Sequence, residues 1–243
     1  MKFLVCIKQV PDVSGNVQSG RMVLNAYDAS AVEAALVMTT ASENEIHLLL
    51  VGQDSAKETI RKALAMGATS ATHILTTDAS DMDSGAIASV LADFCRETAF
   101  DVILCGKQSQ DTDAGLTGGM LAAHLDLPYA TNAVGLTLDD SQTGLNVKRQ
   151  GDSGQEMLHL PCPCLVTCSN DMNNPRIPSL KGIMQAKKKE IDVRPLESAP
   201  MSKSKVQEYF EPSSREPAKI LEGEPAEKVQ ALVTALVEDS GLF

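Results

Sequence analysis

Aromatic residues make up only 3% of this chain of 243 residues and tryptophan is absent, so any core must be assembled from Ala, Val, Leu, Ile and Met. Positive charge is scarce as well. With 21 Lys and Arg against 32 Asp and Glu the net charge is -11, which argues against non-specific nucleic-acid binding, because that requires clustered cations to neutralise phosphate. Lys187-Lys188-Lys189 is a local exception that, taken alone, reads as a solvated basic run. No stretch approaches the about 20 consecutive apolar residues of a membrane span. Met1-Lys2 leads straight into a strand-like run with no cleavable leader pattern, so a cytoplasmic protein without membrane insertion is expected. Six cysteines are too few for a disulfide scaffold at this length, and Cys162 and Cys164 lack the C-x-x-C spacing of zinc or dithiol sites. A Gly-Lys-Ser/Thr phosphate loop is missing and the four histidines are scattered, so no acid, base or nucleophile constellation is expected.

What is present is an alternation. Lys2–Val10 is a near-continuous apolar run stopped by Pro11-Asp12, the texture of a strand buried on both faces of a parallel sheet. A Gly-, Ser- and Asn-rich loop runs on to Gly20, after which Asp28 or Ser30 is placed to cap a helix through Met38. A second strand at Ile46–Val51 turns at Gly52-Gln53 into an amphipathic helix, Ala56–Met66, closed by Gly67. A short third strand at Thr72–Leu75, a third helix at Ser84–Thr98 and a fourth strand at Phe100–Leu104 repeat the unit. This order predicts an α/β fold with a doubly wound, mostly parallel sheet. From Leu127-Pro128 short extended runs separated by Asp139-Asp140-Ser141 and Gly151–Gly154 predict a small antiparallel section, and Cys164–Cys168 another buried strand.

The fourth strand empties into Cys105–Gly119, a glycine-punctuated loop that precedes the helical run Met120–Leu125. Such a loop offers free backbone N–H groups and the positive end of a helix to an anion. The candidate is a nucleotide-phosphate site in the crevice beyond the strand ends. Its carboxylates Asp111 and Asp113 would repel phosphate unless they cap N–H groups or bind ribose. Beyond Pro195 the composition turns Ser-, Lys-, Glu- and Pro-rich, which predicts a domain at 1–194 followed by an extended C-terminal arm at 195–243. The arm ends in a helix from Pro225 to about Asp239 with Val229, Leu232, Val233, Leu236 and Val237 on one face, to be covered by a second subunit or by its own domain.

Five segments in order carry a resemblance. They are Val5–Asp12; Asn25-Ala26-Tyr27-Asp28 with Ala31–Ala35; Ile60–Ala68; Cys105–Gly119; and Asn174–Lys189. Together they resemble the beta subunit of electron transfer flavoprotein over nearly the whole chain. The resemblance implies an adenine nucleotide alpha hydrolase-like fold and a heterodimer whose alpha subunit carries FAD. It implies electron transfer between flavoprotein dehydrogenases, acyl-CoA dehydrogenase-like, and a downstream acceptor, with AMP or a second FAD held in this subunit. The implied cofactor contacts are Cys6, Asn25, Ala26, Tyr27, Asp28, Val51, Gly106, Lys107, Gln108, Asp111, Asp113, Ala114, Gly115, Leu116 and Thr117. Gly115-Leu116 stands where the family often has Asn-Gln or Ala-Gln, so backbone N–H groups would have to make the phosphate contact there. Leu180 aligns with a leucine that anchors partner dehydrogenases, and a Leu on a loop between Pro178 and Gly182, flanked by Arg176 and Lys181, suits an apolar anchor with a charged rim. Lys187–Lys189 would then steer acidic partners. Two alternatives stay open: an electron-bifurcating type that uses NADH, and an adenine-nucleotide-binding regulatory protein of the universal-stress type, which would share the crevice but leave the Leu180 segment and the arm without a role.

Overall fold

A computed structural model describes residues 1–12, 20–39, 45–77, 82–208, 210 and 217–238. The loop residues 13–19 and the expected helix end at Asp239 lie outside them. The first compact unit, Met1–Lys205, is built on a nine-stranded sheet. In chain order its strands and helices are β1 (Lys2–Cys6), α1 (Ala26–Thr39), β4 (Glu45–Gly52), α2 (Lys57–Met66), β5 (Ser70–Leu75), α3 (Ser84–Glu97), β6 (Val102–Gly106), α4 (Thr117–Leu125), β7 (Tyr129–Leu138), β8 (Gly144–Gly151), β9 (Gly154–Pro161), β10 (Cys164–Cys168), α5 (Leu180–Lys188) and β11 (Asp192–Pro195). Two short strands, β2 (Gln9–Pro11) and β3 (Met22–Leu24), form a separate antiparallel pair.

The sheet runs β11-β5-β4-β1-β6-β10-β7-β8-β9. It is parallel from β11 to β7 and antiparallel across β7, β8 and β9. Alternation along the strands makes two cores. Phe3 and Val5 with Leu48 and Leu50 pack beneath Val32, Leu36, Ile60 and Leu64 of α1 and α2. Leu4 and Leu49 with Ile103 pack beneath Val90, Leu91, Phe94 and Leu121 of α3 and α4. Each such side chain, fully buried, contributes about 1.5–3 kcal/mol, which is how a chain so poor in aromatics holds its sheet.

The expected α/β alternation and antiparallel section are present, with three changes of detail. The predicted first strand, Lys2–Val10, is cut at Cys6, because Gln9–Pro11 leaves the main sheet to pair with Met22–Leu24. Asp28 and Ser30 do not cap α1; the helix starts before them, and both lie in its first turns with their side chains bonded to other elements. The run Cys164–Cys168 enters between β6 and β7, so the antiparallel section extends the sheet beyond it.

Past Pro195 the chain stays with the first unit through Lys205. There the Asp83 carboxylate accepts the Ala86 N–H at 2.8 Å, capping α3, and its second oxygen accepts the N–H groups of Lys203 and Ser204 at 2.7 and 2.9 Å. The second unit, Val206–Phe243, holds α6 (Pro225–Glu238), on which Val229, Leu232, Val233 and Val237 are exposed. No helix among the described residues is long and apolar enough to cross a membrane.

Candidate functional site

The chain builds β1, β4 and β5 outward in one direction and then returns through α3 to place β6 on the other side of β1. The switch point therefore lies between β1 and β6, where Cys6 and Cys105 are register partners. Ligands of open α/β sheets bind just beyond the carboxyl ends of such strands. The residues leaving these two strands are Ile7-Lys8 and Gly106-Lys107.

Asp28 joins the two exits. From the first turn of α1 its Oδ2 accepts the Lys8 N–H at 2.7 Å and its Oδ1 accepts the Gly106 N–H at 3.0 Å. Burial pushes its pKa up to about 7, against the pull of the Lys8 and Gly106 amides, the Asn25 side chain and the Lys8 ammonium. The close approach explains Gly106: a Cβ there would collide with Asp28 Oδ1 and come within 2.7 Å of Tyr27 Cβ. Gly118 is required in the same way, because its Cβ would strike Thr167.

The loop from Lys107 to Leu116 is held from below by the turn that precedes α1. Asn25 Nδ2 donates to the Gln108 carbonyl at 2.9 Å, and the Ala26 N–H donates to Gln110 Oε1 at 3.3 Å. Lys8 Nζ donates to Ser109 Oγ at 3.2 Å and pairs with Asp111 at 2.8 Å. Burial works to raise the Asp111 pKa, but the Lys8 ammonium and the Ser109 hydroxyl outweigh it and hold the group below the usual carboxylate range. Asp113 takes a positive φ of 50° and accepts from Gln108 Nε2 at 2.8 Å. Both loop carboxylates are thus engaged by donors of the protein itself. Gly115, at φ 63°, turns the chain into α4. Leu116 precedes that helix without a side-chain cap, so the first N–H groups at Thr117, Gly118 and Gly119 have no intrahelical partner. The Lys107 N–H is fixed to Cys168 O at 2.8 Å.

Contacts thus bring Asn25, Ala26, Asp28, Gly106, Gln108, Asp111 and Asp113 together at the exits of β1 and β6, Tyr27 stands beside Gly106, and Lys107, Ala114, Gly115, Leu116 and Thr117 belong to the same loop and the helix start that follows it. Two of the expected residues stand differently. Cys6 is buried on the α3 and α4 side of the sheet as a free thiol hydrogen-bonded to Cys105, so only its backbone reaches the strand end. Val51 is the penultimate residue of β4, which β1 separates from β6 and its loop. Sequence reasoning did not single out Lys8, although a cation just past the first apolar run, facing an acidic loop, was a usable signal. Asn25 is 1% exposed and its Oδ1 is buried with no hydrogen bond, one of four such side-chain atoms among the described residues, the others being His73 Nδ1, Arg149 Nε and Asn173 Oδ1 away from this cluster.

The Leu180 segment lies apart from the crevice. Leu180 is not on a loop but opens α5, whose first turn is capped by Ser179 Oγ accepting from Gly182 N at 3.1 Å. Leu180 is 77% exposed and Ile177 92%, and Ile183 and Met184 join them at the surface. Gly182 lets α5 meet α2, because a Cβ there would stand 2.5 Å from Ala65 O. Arg61 donates to the carbonyls of Ala186 and Lys189 at the far end, and Lys189 itself donates to Ala68 O, which takes that cation out of the expected steering run. Arg176 is likewise no free rim charge; it is forked onto Glu33.

The family model of the electron transfer flavoprotein domain matches residues 16–199. The electron transfer flavoprotein subunit beta of Megasphaera elsdenii is 31% identical, covering 98% of this chain and 97% of its own length. The corresponding subunit of Bacillus subtilis is 33% identical over 92% of this chain and 90% of its own length. The chain belongs to the electron transfer flavoprotein beta subunit family. The bovine member is 37% identical over 79% of this chain and 76% of its own length. The electron transfer flavoprotein domain match takes in Asn25–Asp28, the loop after β6 and the Leu180 segment alike.

Proposed function

We propose that this chain is the beta subunit of a heterodimeric electron transfer flavoprotein, working in the cytoplasm with an alpha subunit that carries FAD. In this reading the crevice between β1 and β6 holds an adenine nucleotide, AMP or a second FAD. The buried, unpartnered Oδ1 of Asn25 carries the reading, because a buried acceptor left without a donor costs about 1–3 kcal/mol and is a group that a ligand hydroxyl or amino group satisfies. The surroundings fit such a ligand. The uncapped start of α4 offers N–H groups to phosphate, and Asp111 and Asp113 are already paired and do not face it as free anions.

A bound flavin supplies the redox chemistry, and the residues of this chain hold and orient. Leu180, with Ile177, Ile183 and Met184 around it, is the anchor for a flavoprotein dehydrogenase of the acyl-CoA dehydrogenase kind. The test is to co-express the two subunits, denature the purified complex and identify the released nucleotides by mass and absorbance. One FAD with one AMP per heterodimer is the result expected of simple electron transfer. Two FAD indicate an electron-bifurcating type that uses NADH, and a colourless complex overturns the reading.

A further inference from the structure

The Leu180 segment stands out from the molecule, yet it is tied to α1 behind it by bonds that span more than 130 residues of sequence. Arg176 Nε and Nη2 donate to Glu33 Oε2 and Oε1, both at 2.8 Å, and the Arg176 N–H donates to Oε2 at 3.1 Å. One residue thus engages Glu33 through three donors. Asn173 Nδ2 donates to Ser30 O at 3.0 Å, and Ser30 Oγ donates to Asn170 O at 3.5 Å, so the chain is fixed to the same helix as it approaches Arg176. Glu33 is the charged member of an otherwise apolar stretch of α1, Ala31–Met38, and it is buried. An acid at that position is stable only when paired. Its partner is the residue immediately before the exposed Ile177.

We propose that Glu33 and Arg176 are positioning residues for partner docking: the fork holds the Ile177–Met184 projection in the conformation that a partner flavoprotein binds. This rests on the docking role given to Leu180 above. An apolar anchor loses affinity if it must be ordered on each encounter, since ordering of side chains and loop is set against the contact energy. The projection is held at its far end by Arg61 on the α5 carbonyls and in its middle by the Ser179 cap. Among the described residues no side-chain hydrogen bond reaches the stretch Ile177–Pro178 between the fork and the cap, and there the fork acts alone.

Arg176→Lys is the variant of choice, because it keeps the charge beside Glu33 but cannot make the planar two-pronged contact. Glu33→Gln is the companion on the other partner. In the purified heterodimer, with an acyl-CoA dehydrogenase that reduces the wild type as the probe, the expected result is a KM for the dehydrogenase raised about tenfold by Arg176→Lys, with unchanged flavin content and unchanged kcat at saturation. Leu180→Ala should raise KM about 30-fold in the wild type but only about threefold on the Arg176→Lys background, because the two residues act through one projection. Amide hydrogen exchange should quicken about tenfold at position 176, whose N–H is bonded to Glu33 Oε2, in Arg176→Lys and stay unchanged in β1 and β6. An unchanged KM in Arg176→Lys and Glu33→Gln, with normal wild-type turnover, overturns the positioning role and leaves the docking role standing. Additive effects of Arg176→Lys and Leu180→Ala also overturn it. If no acyl-CoA dehydrogenase reduces a wild-type heterodimer that contains flavin, the docking role falls and the positioning role with it.

Discussion

Asp28 and Glu33 are buried carboxylates five positions apart on α1, and the same helix presents them to opposite chemistries. Asp28 faces only backbone N–H groups and neutral amide, with the Lys8 ammonium at a remove, and burial dominates, lifting its pKa to about 7. At Glu33 burial also works to raise the pKa, but a guanidinium fork outweighs it and holds the group below the ordinary value. The first carboxylate ties together two strand exits at the crevice. The second ties a surface projection to the core. The comparison teaches that the crevice end of α1 is built from backbone geometry, where a misplaced Cβ is the danger. The end proposed for docking is built from side-chain charge, where the loss of one partner is the danger.

The sharpest way to break the crevice end is Gly106→Val. The new side chain occupies the space of Asp28 Oδ1 and Tyr27 Cβ, so the clamp between Lys8 and Gly106 cannot form. A loss of about 3 kcal/mol of stability is expected from overpacking and two broken bonds, together with loss of bound nucleotide. Urea titration and nucleotide analysis of the same sample measure both. If the comparison holds, the docking end is untouched, and the hydrogen exchange of α5 in the surviving folded protein stays as in the wild type.

Leu180→Ala probes the opposite end with a smaller effect. The side chain is mostly in solvent, so folding stability should move by no more than about 0.5 kcal/mol. Affinity for the partner dehydrogenase should fall by about 2 kcal/mol, roughly 30-fold in KM. Steady-state kinetics with the dehydrogenase varied, beside a melting curve, separates the two quantities. A stability loss with an unchanged KM would mean that Leu180 packs on its own chain.

The sequence makes these ends legible to different degrees. Parallel strands buried on both faces leave unbroken apolar runs, so β4, β6 and β10 stand out, and Gly67 announces the end of α2 by its positive φ of 138°. Strand order is carried by contacts between distant segments and leaves no local trace, which is why the exit of Gln9–Pro11 into its own hairpin and the entry of β10 beside β6 were not readable. Capping preference pointed to Asp28 as a helix start. Its side chain serves other strands instead, and only the fold brings Lys8 and Gly106 to it. The loop after β6 was legible, since a glycine-rich strand-to-helix loop has a local signature. Glu33 was not, although a lone acid in an apolar helix is a signal that a distant cation must exist.

Acid titration separates the two carboxylates with a smaller signal. The native state holds the Asp28 proton up to about pH 7, whereas the unfolded chain releases it near 3.8, so this group makes stability fall as pH rises through that window. Glu33 acts in the reverse sense. Its contribution is complete above the unfolded value near 4.5 and is lost as pH falls through its lower folded value. Urea midpoints at a series of pH values should therefore lose slope between about 4 and 7 in Asp28→Asn and below about 4.5 in Glu33→Gln. Identical slopes in the two variants would show that the carboxylates share one environment.

Lys8→Met should have the mildest effect, and it tests whether the crevice end depends on charge at all. The Lys8 side chain is 45% exposed, so its pair with Asp111 is screened by water, and stability should drop by less than about 1 kcal/mol. The consequence for binding is larger in kind. Without the ammonium, Asp111 loses the partner that holds its pKa down, and an unpaired anion is left on the loop proposed to receive phosphate. Nucleotide affinity, measured by calorimetry on stripped protein, should weaken about tenfold, or about 1.4 kcal/mol, and the double variant Lys8→Met with Asp111→Asn should recover most of it. Full affinity in the single variant would place the phosphates away from Asp111 and leave backbone geometry alone in charge of the crevice.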